Sequence, residues 1–149
     1  AASDVYKRQM YPRGNFANRY VTLPLIKTRL LHWINYKYDS PGYLHWGFNA
    51  WGANGDPFGD VSAPANDWPG GDSHIVYPGY RKLYPSIRLA AMRDGIRDYD
   101  LLKMVEARDS IRAQAFVNAI IFDFNRYDTS VSRFRQIRRE ILDFLEDMH

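Results

Sequence analysis

The stretch TLPLIKTRLLHWINYKYDSPGYLHWGFNAW, residues 22–51, contains a helix pattern, a tight turn and a strand pattern in immediate succession. Pro24 suits the first turn of a helix, and the Ser-Pro-Gly turn at residues 40–42 ends it. The aromatic run at residues 43–51 then predicts a buried strand. The helix is predicted from apolar side chains that recur at helical spacing: Leu23, Ile26, Leu30, Leu31, Trp33 and Ile34.

A second strand follows after a long polar segment. Residues 52–72 are too polar and too rich in Gly and Pro for a regular element, and a loop of that length is usually functional or disordered. The segment SHIVYPG, residues 73–79, predicts a short strand. Helix, strand, loop, strand and helix in this order are typical of β/α units with parallel strands. We therefore expect an α/β fold, in which two or three strands form the end of a larger barrel.

Three amphipathic helices are predicted beyond residue 84, and their starts are marked by capping residues. Pro85 or Ser86 begins the first, whose predicted core face is Leu89, Met92, Ile96, Tyr99 and Leu102. Asp109 or Ser110 caps the second, with Ala113, Val117, Ile120, Ile121 and Phe124 facing inward. Thr129 or Ser130 caps the third, which carries Phe134, Ile137, Ile141, Phe144, Leu145 and Met148.

Charged residues of the first of these helices recur one turn apart, in the segment RLAAMRDGIRDYD. Such spacing allows ion pairs along a solvated face, and exposed pairs of this kind contribute little. A structural surface role is the simpler interpretation, and catalysis is the alternative. The residues concerned are Arg93, Asp94, Arg97 and Asp98.

Composition excludes several classes of protein. With 46% hydrophobic and 15% aromatic residues in 149, the chain is expected to build a globular core. Its net charge is only +3, and its basic residues are mixed with acidic ones. The charge is therefore a weak argument for binding to nucleic acid. Cysteine is absent, so no disulfide frame forms, and no apolar run reaches the roughly 18 residues of a membrane helix.

Neither a metal nor a cofactor is expected. The four histidines lack metal-ligand spacing, and satisfied or exposed imidazoles are the default interpretation for His32, His45, His74 and His149. The acids of the long loop lack the regular alternation of a calcium-binding loop. These acids are Asp56, Asp60 and Asp67.

The first nine residues, AASDVYKRQ, fit the translation of a transposase adapter used in DNA sequencing libraries. We therefore expect residues 1–9 to be non-native. Residues 10–107 are then expected to form the C-terminal part of a barrel, and residues 108–149 a set of helices that pack on it.

Five segments of the chain carry a recognisable pattern: YPRGNFANRY, LPLIKTRLLHWINYKY, GYLHWGFNAWG, GGDSHIVYPG and PSIRLAAMRDGIRDYDLL. Together they resemble the C-terminal part of the catalytic domain of glycoside hydrolase family 123. They agree with it in order and spacing over residues 11–105, whereas the last two helices resemble only a covering helical tail. The resemblance implies the C-terminal fragment of a (β/α)8 TIM barrel.

The resemblance also implies a retaining β-N-acetylgalactosaminidase that uses substrate assistance. In such family members the 2-acetamido oxygen attacks the anomeric carbon, an Asp stabilises the oxazolinium, and the next residue, a Glu, is the general acid. This scheme departs from the usual pair of carboxylates. The only adjacent acids here are Glu146 and Asp147, in the opposite order, so we expect the catalytic pair in a missing N-terminal part of the same domain and an inactive fragment.

The expected partner is a glycan that ends in an N-acetylated hexosamine, with no nucleic acid and no membrane involved. Substrate-binding residues are expected at the C-terminal ends of the strands, where aromatic faces pack on sugar rings and Asn or Asp binds hydroxyls. For Trp46 burial against a helix is the alternative, and for Asn15 and Arg19 a turn. The candidates are Trp46, Asn49, Trp51, Tyr77, Asp72, Asn15 and Arg19.

Further loop residues are weaker candidates. Arg13 lies in the same segment as Asn15, Asn18 is expected to cap a turn, and Trp68 belongs to the rim of the long loop with its acids. A non-catalytic carbohydrate-binding or scaffold module is the alternative function. Because strands with missing neighbours leave open edges, the isolated chain is expected to be marginally stable or prone to aggregation.

Overall fold

The computed structural model describes residues 14–51, 56–59 and 69–147. Four helices occur in these ranges: α1 (Leu25–Lys37), α2 (Ile87–Glu106), α3 (Ser110–Asn118) and α4 (Val131–Glu146). The strands form two antiparallel hairpins, β1 (Val76–Gly79) with β2 (Lys82–Pro85) and β3 (Ile121–Asp123) with β4 (Arg126–Tyr127). The described part of the chain is thus a mixture of helices and small sheets, in keeping with the expected α/β class.

Helix α1 lies at the centre of the fold and is buried on most of its circumference. Leu30, Leu31, Trp33 and Ile34 are fully buried, and α2 crosses α1 at very close range. A Cβ atom added to Gly95 of α2 would lie 2.5 Å from the backbone oxygen of Arg29. Glycine at this position therefore sets how closely the two helices approach.

The predicted helix starts are confirmed by side-chain caps. Ser86, Asp109 and Ser130 accept hydrogen bonds from the backbone N–H groups three residues further on, as N-cap residues do. Pro85 is the last residue of β2, so Ser86 rather than Pro85 begins the helical segment. Each cap satisfies a backbone donor that the first turn leaves without a helical partner.

The strand predicted for residues 43–51 does not form in the described structure. Its backbone makes a single isolated bridge, between Asn49 and His74, and the side chains of Leu44 and Phe48 are exposed. A continuous strand needs a ladder of partners along its length. Parallel pairing is likewise absent from the described ranges, because β1 turns back at once and pairs with β2 in antiparallel fashion.

The core face of α2 is displaced by about one residue from the predicted one. Ile96 was expected inside but its side chain is 47% exposed. The close crossing at Gly95 and the burial of Asp98 turn the helix so that a mixed set of side chains faces inward. The buried positions are Arg88, Ala91, Gly95, Asp98, Leu102 and Val105.

The last two helices complete the same core as α1. The second predicted helix was expected to carry inward residues as far as Phe124, but α3 ends at Asn118 and the chain turns into the hairpin of β3 and β4. Burial itself is as predicted for Ala113, Val117, Ile120 and Ile121, and for Phe134, Ile137, Ile141 and Leu145 of α4. Phe124 is half-buried and stacks on Tyr38 with ring centroids 3.7 Å apart. Phe144 is also half-buried, and Met148 lies outside the described residues.

No helix in the described residues is both long enough and apolar enough to span a membrane. The division of the chain at residue 107 stays a prediction, although one hydrophobic cluster includes residues from α1 and from α4.

Candidate functional site

Four side chains from three loops meet beside the first hairpin, and we name them the Arg19–Asp72 cluster: Arg19, His45, Trp46 and Asp72. The Nη2 atom of Arg19 lies 2.6 Å from Nδ1 of His45. On the other side of its ring, Nε2 of His45 lies 3.3 Å from Oδ1 of Asp72. Trp46 donates from Nε1 to Oδ2 of Asp72 at 2.7 Å. The cluster is a continuous polar chain from a guanidinium to an indole.

The hydrogen bonds around His45 assign its tautomer. Nδ1 faces two donors, Nη2 of Arg19 and the backbone N–H of Gly47 at 3.2 Å. It must therefore accept, which leaves the proton of the neutral ring on Nε2, directed at Asp72. Burial lowers the pKa of His45, against the opposing effect of the Asp72 carboxylate. At neutral pH the imidazole is therefore neutral, and its Nε2 proton faces Oδ1 of Asp72 at an N···O distance of 3.3 Å.

Arg19 is buried and remains charged. Burial lowers the pKa of its guanidinium to about 10, which still leaves it protonated at neutral pH. Its Nη2 atom also reaches the backbone oxygen of Asp72 at 3.3 Å. Its Nε atom is buried with no hydrogen-bond acceptor among the described residues. This donor of the cluster is therefore left without a partner there.

A second donor without a partner lies next to it. The hydroxyl of Tyr43 is buried and has no hydrogen-bond partner in the described part of the chain. The Tyr43 ring lies 6.2 Å from the ring of His45, centroid to centroid. Burial raises the pKa of Tyr43, so its hydroxyl is a neutral group able to donate. Nε2 of His45 and Oδ1 of Asp72, which face each other at 3.3 Å, are also buried without a hydrogen bond in the described ranges. Buried polar groups without partners are rare and costly, so their concentration here makes this cluster the candidate site.

Arg88, at the start of α2, holds two of the contributing loops together. Its Nη1 atom donates to the backbone oxygens of Arg19 and Gly71, both at 2.8 Å. Gly71 has φ +76, and a Cβ there would lie 2.5 Å from Nη1 of Arg88. Glycine is therefore required at 71 for both its backbone conformation and the approach of the guanidinium.

The structure brings most of the predicted sugar-binding residues to this region. Trp46 is 46% exposed, and its indole is held at one edge by Asp72. Asn49 is exposed and bridges to His74 through its backbone. Trp51 is half-buried and donates from Nε1 to the oxygen of Val76 at 2.7 Å. Asp72 itself is fully buried, so it reaches the surface only through its partners.

Tyr77 contributes a ring to the same region. Its centroid lies 5.2 Å from that of Phe58 and 5.0 Å from that of His74, and its hydroxyl is 3.5 Å from Nη2 of Arg88. It is half-buried. Tyr77 is thus positioned at the junction of the hairpin and the long loop.

Asn15 lies elsewhere. Its side chain donates to the backbone oxygen of Asn125 and accepts from Lys27, both at 2.7 Å, which ties it to α1 and to the second hairpin. Asn18 accepts the backbone N–H of Arg19 at 2.8 Å, in keeping with the expected turn. Asp56 accepts the N–H of Phe58 at 3.0 Å.

The remaining rim candidates lie outside the described residues: Arg13, Asp60, Asp67 and Trp68. No group of three or more possible metal ligands occurs in the part of the chain that is described.

Three residues of the region were missed as candidates: Tyr43, His45 and Arg88. For two of them a signal was available, since Tyr43 and His45 are two residues apart and share one face of an extended chain. Arg88 carries no such signal, because a single arginine in an amphipathic helix is ordinarily solvated.

One family model matches the chain, and its description is "Glycoside hydrolase 123, catalytic domain". The match covers residues 5–105 and includes every member of the Arg19–Asp72 cluster. It begins inside residues 1–9, so the adapter origin of that segment stays a prediction. No curated protein matches the sequence.

Proposed function

Because this chain belongs to glycoside hydrolase family 123, we propose that it forms the C-terminal part of the (β/α)8 barrel of a retaining β-N-acetylgalactosaminidase. The match covers the whole region in which polar and aromatic side chains converge. The observation that carries the proposal is the orientation of Trp46, a half-exposed indole fixed by a buried carboxylate. A ring held in this way offers an apolar face to a sugar without the entropy cost of ordering it on binding.

The proposed chemistry is substrate-assisted. The acetamido oxygen of the substrate attacks the anomeric carbon as the bond from that carbon to the leaving oxygen breaks. In an adjacent Asp-Glu pair, the Asp carboxylate stabilises the oxazolinium and the Glu carboxylic acid protonates the leaving oxygen. Water then attacks the anomeric carbon of the oxazolinium, which restores the acetamido group and completes the hydrolysis. The sequence contains no Asp directly followed by Glu. We therefore assign that pair to a preceding segment of the domain, and no catalytic residue to this chain.

The role proposed for the cluster is to bind and orient the sugar. Trp46 is the exposed member of the cluster and would pack its indole face on the sugar ring, whereas Nε of Arg19 and the hydroxyl of Tyr43 are buried beneath the surface. Asp72 and His45 act as positioning residues, since they are buried and hold Trp46 and Arg19. Binding energy at such a site keeps the anomeric carbon in place for attack.

Kinetics of the parent enzyme and of this chain test the proposal. The parent should hydrolyse an aryl β-N-acetylgalactosaminide, whereas this chain alone should show no turnover. In the parent, Trp46→Ala should lower kcat/KM by about tenfold or more, as expected for loss of a sugar-stacking ring. Phe122→Ala removes another half-exposed aromatic ring, on β3, and should leave kcat/KM unchanged. Turnover by this chain alone, or equal losses in both variants, would contradict the proposal.

A non-catalytic carbohydrate-binding module is the second candidate, and the exposure of Trp46, Phe48 and Phe58 favours it. It predicts saturable binding of N-acetylgalactosamine oligosaccharides by this chain, together with a parent that lacks an adjacent Asp-Glu pair and has no activity. Sequencing the parent gene and measuring binding by calorimetry separates the two candidates.

A further inference from the structure

A cleft of about 470 Å³ lies between α1, α2 and α4, and none of its lining residues belongs to the Arg19–Asp72 cluster. We name it the arginine cleft. Five of its seven lining residues are arginines, and an aromatic ring completes it. The lining residues are Arg29, Arg93, Asp94, Arg97, Phe134, Arg135 and Arg138.

The two carboxylates near the cleft do not neutralise it. Asp98 lies between Arg29 and Arg138, and Asp94 pairs with Arg93 at 3.1 Å and with Arg97 at 3.8 Å. Five guanidinium groups against these two carboxylates leave an excess of three positive charges. The excess is concentrated in one concave surface, where attraction of an anion is strongest.

Several guanidinium nitrogens remain available to a ligand. The Asp98 carboxylate accepts hydrogen bonds from Nε and Nη2 of Arg29 but only from Nε of Arg138. Within the described residues, Nη1 of Arg29 and both η nitrogens of Arg138 make no hydrogen bond. Arg135 has no acidic partner in the same ranges, and Arg138 and Arg139 follow it at i+3 and i+4. Like charges at these spacings destabilise a helix, and a bound anion would relieve that repulsion.

An apolar groove of about 290 Å³ is continuous with the cleft. The two share Arg29, Asp94, Phe134 and Arg135. Leu25, Ile26, Ile87, Ala90, Ala91 and Val131 line the rest of the groove. The side chain of Ile87 is 70% exposed, so an apolar group that lies here would be shielded from water together with it.

We infer that the arginine cleft binds the tetrahedral anionic group of a phosphate or sulfate monoester, whose ester substituent lies in the adjoining groove. Guanidinium groups bind such oxygens in paired, charge-assisted hydrogen bonds. Arg97 and Arg135 approach the anion from opposite walls, α2 and α4. The arginine cleft is separate from the proposed sugar-binding region. Failure of the proposed glycosidase activity would therefore not contradict this inference.

Titration calorimetry on this chain tests the inference, with inorganic phosphate, inorganic sulfate and phenyl phosphate as probes and sodium chloride at equal ionic strength as the blank. Both anions should bind at one site, and phenyl phosphate should bind more tightly than inorganic phosphate. Arg135→Gln and Arg97→Gln should each weaken binding by about tenfold, as loss of a charge-assisted hydrogen bond predicts. Arg139→Gln removes the same charge from the same helix at a position outside the cleft and should bind as the unchanged chain does.

A variant with the opposite effect guards against misfolding. Asp94→Asn removes a negative charge from the cleft wall and should tighten phosphate binding severalfold, which no loss of structure can produce. Equal weakening by Arg139→Gln and Arg135→Gln would overturn the inference in favour of diffuse attraction. The absence of saturable binding of phosphate and sulfate would also overturn it. So would a chain that binds a nucleic acid but neither phosphate nor sulfate. Phenyl phosphate that binds no more tightly than inorganic phosphate would overturn the role of the groove.

Discussion

The carboxylate of Asp98 on α2 accepts two hydrogen bonds from Arg29 on α1, from Nε at 2.6 Å and from Nη2 at 2.9 Å. The same carboxylate accepts Nε of Arg138 on α4 at 2.8 Å and Nε1 of Trp33 at 3.2 Å. Its side chain is 1% exposed. One buried carboxylate therefore joins three helices, and each of its oxygens accepts two hydrogen bonds.

Replacement of this carboxylate should be costly. Asp98→Asn leaves two partly buried arginines without their counter-charge, and we expect the free energy of unfolding to fall by about 3 kcal/mol. Asp94→Asn, one turn earlier on the same helix, removes two solvent-accessible ion pairs and should change the free energy of unfolding by no more than about 0.5 kcal/mol. Urea denaturation followed by circular dichroism measures both. Similar midpoints for the two variants would contradict a central role for Asp98.

The crossing of α1 and α2 should not tolerate a methyl group. Gly95→Ala gains helix propensity of about 1 kcal/mol, but its Cβ would lie 2.5 Å from the oxygen of Arg29 and 3.2 Å from Cδ2 of His32. Because backbone cannot easily yield, we expect a net destabilisation of about 1–3 kcal/mol. Gly42→Ala meets nothing within 4 Å and should be neutral or slightly stabilising. A higher melting temperature for Gly95→Ala would show that the helices separate at little cost.

Stability should depend on pH through His45. Burial lowers its pKa in the folded state, so the unfolded chain binds the proton more readily. Stability from the neutral ring is then complete above the unfolded pKa of about 6.5 and is lost as the pH falls from there toward the lowered value. His45→Gln should flatten the dependence of the urea midpoint on pH over about pH 5–7. A slope that is unchanged or steeper would contradict the assigned protonation state.

A part of that slope should persist in the variant. Burial also lowers the pKa of His32, against the effect of Asp98, so His32 contributes in the same direction. His32→Gln should therefore reduce the slope independently, and the double variant should reduce it most.

In the parent enzyme the positioning residues should act through KM. Trp46→Phe keeps an aromatic ring but removes the N–H that donates to Asp72 at 2.7 Å, so the ring loses its fixed orientation. We expect KM to rise by about three- to tenfold with a smaller change in kcat, since the hydrogen bond contributes about 1 kcal/mol. Asp72→Asn should give the same pattern. A selective loss of kcat with unchanged KM would instead assign Asp72 to the chemical step.

Local signals predicted the helices well. Ser86, Asp109 and Ser130 are recognisable from sequence because capping depends on a residue and its immediate successors. The buried face of α4 followed from periodicity, since its apolar residues lie on one side and its arginines on the other. The face of α2 did not, because Gly95 and Asp98 are set by contacts with α1 and α4 that no local pattern contains.

The site was predicted only in part, for the same reason. Trp46 and Asp72 were selected by residue type and position near strand ends, and they do form a hydrogen bond. The link between them and Arg19 passes through His45, whose partners lie 26 and 27 residues away in the sequence. The strand predicted for residues 43–51 failed because strand formation depends on a neighbour, which hydrophobicity cannot supply.

The chain is anchored firmly just before and just after the long segment between residues 51 and 69. Ala50 donates to the oxygen of Ser73 at 3.1 Å, Asn49 bridges to His74, and Trp51 donates to Val76. Insertions between two such fixed points cost little in loop-closure entropy. Length and composition can therefore change in this segment while the surrounding frame stays in register.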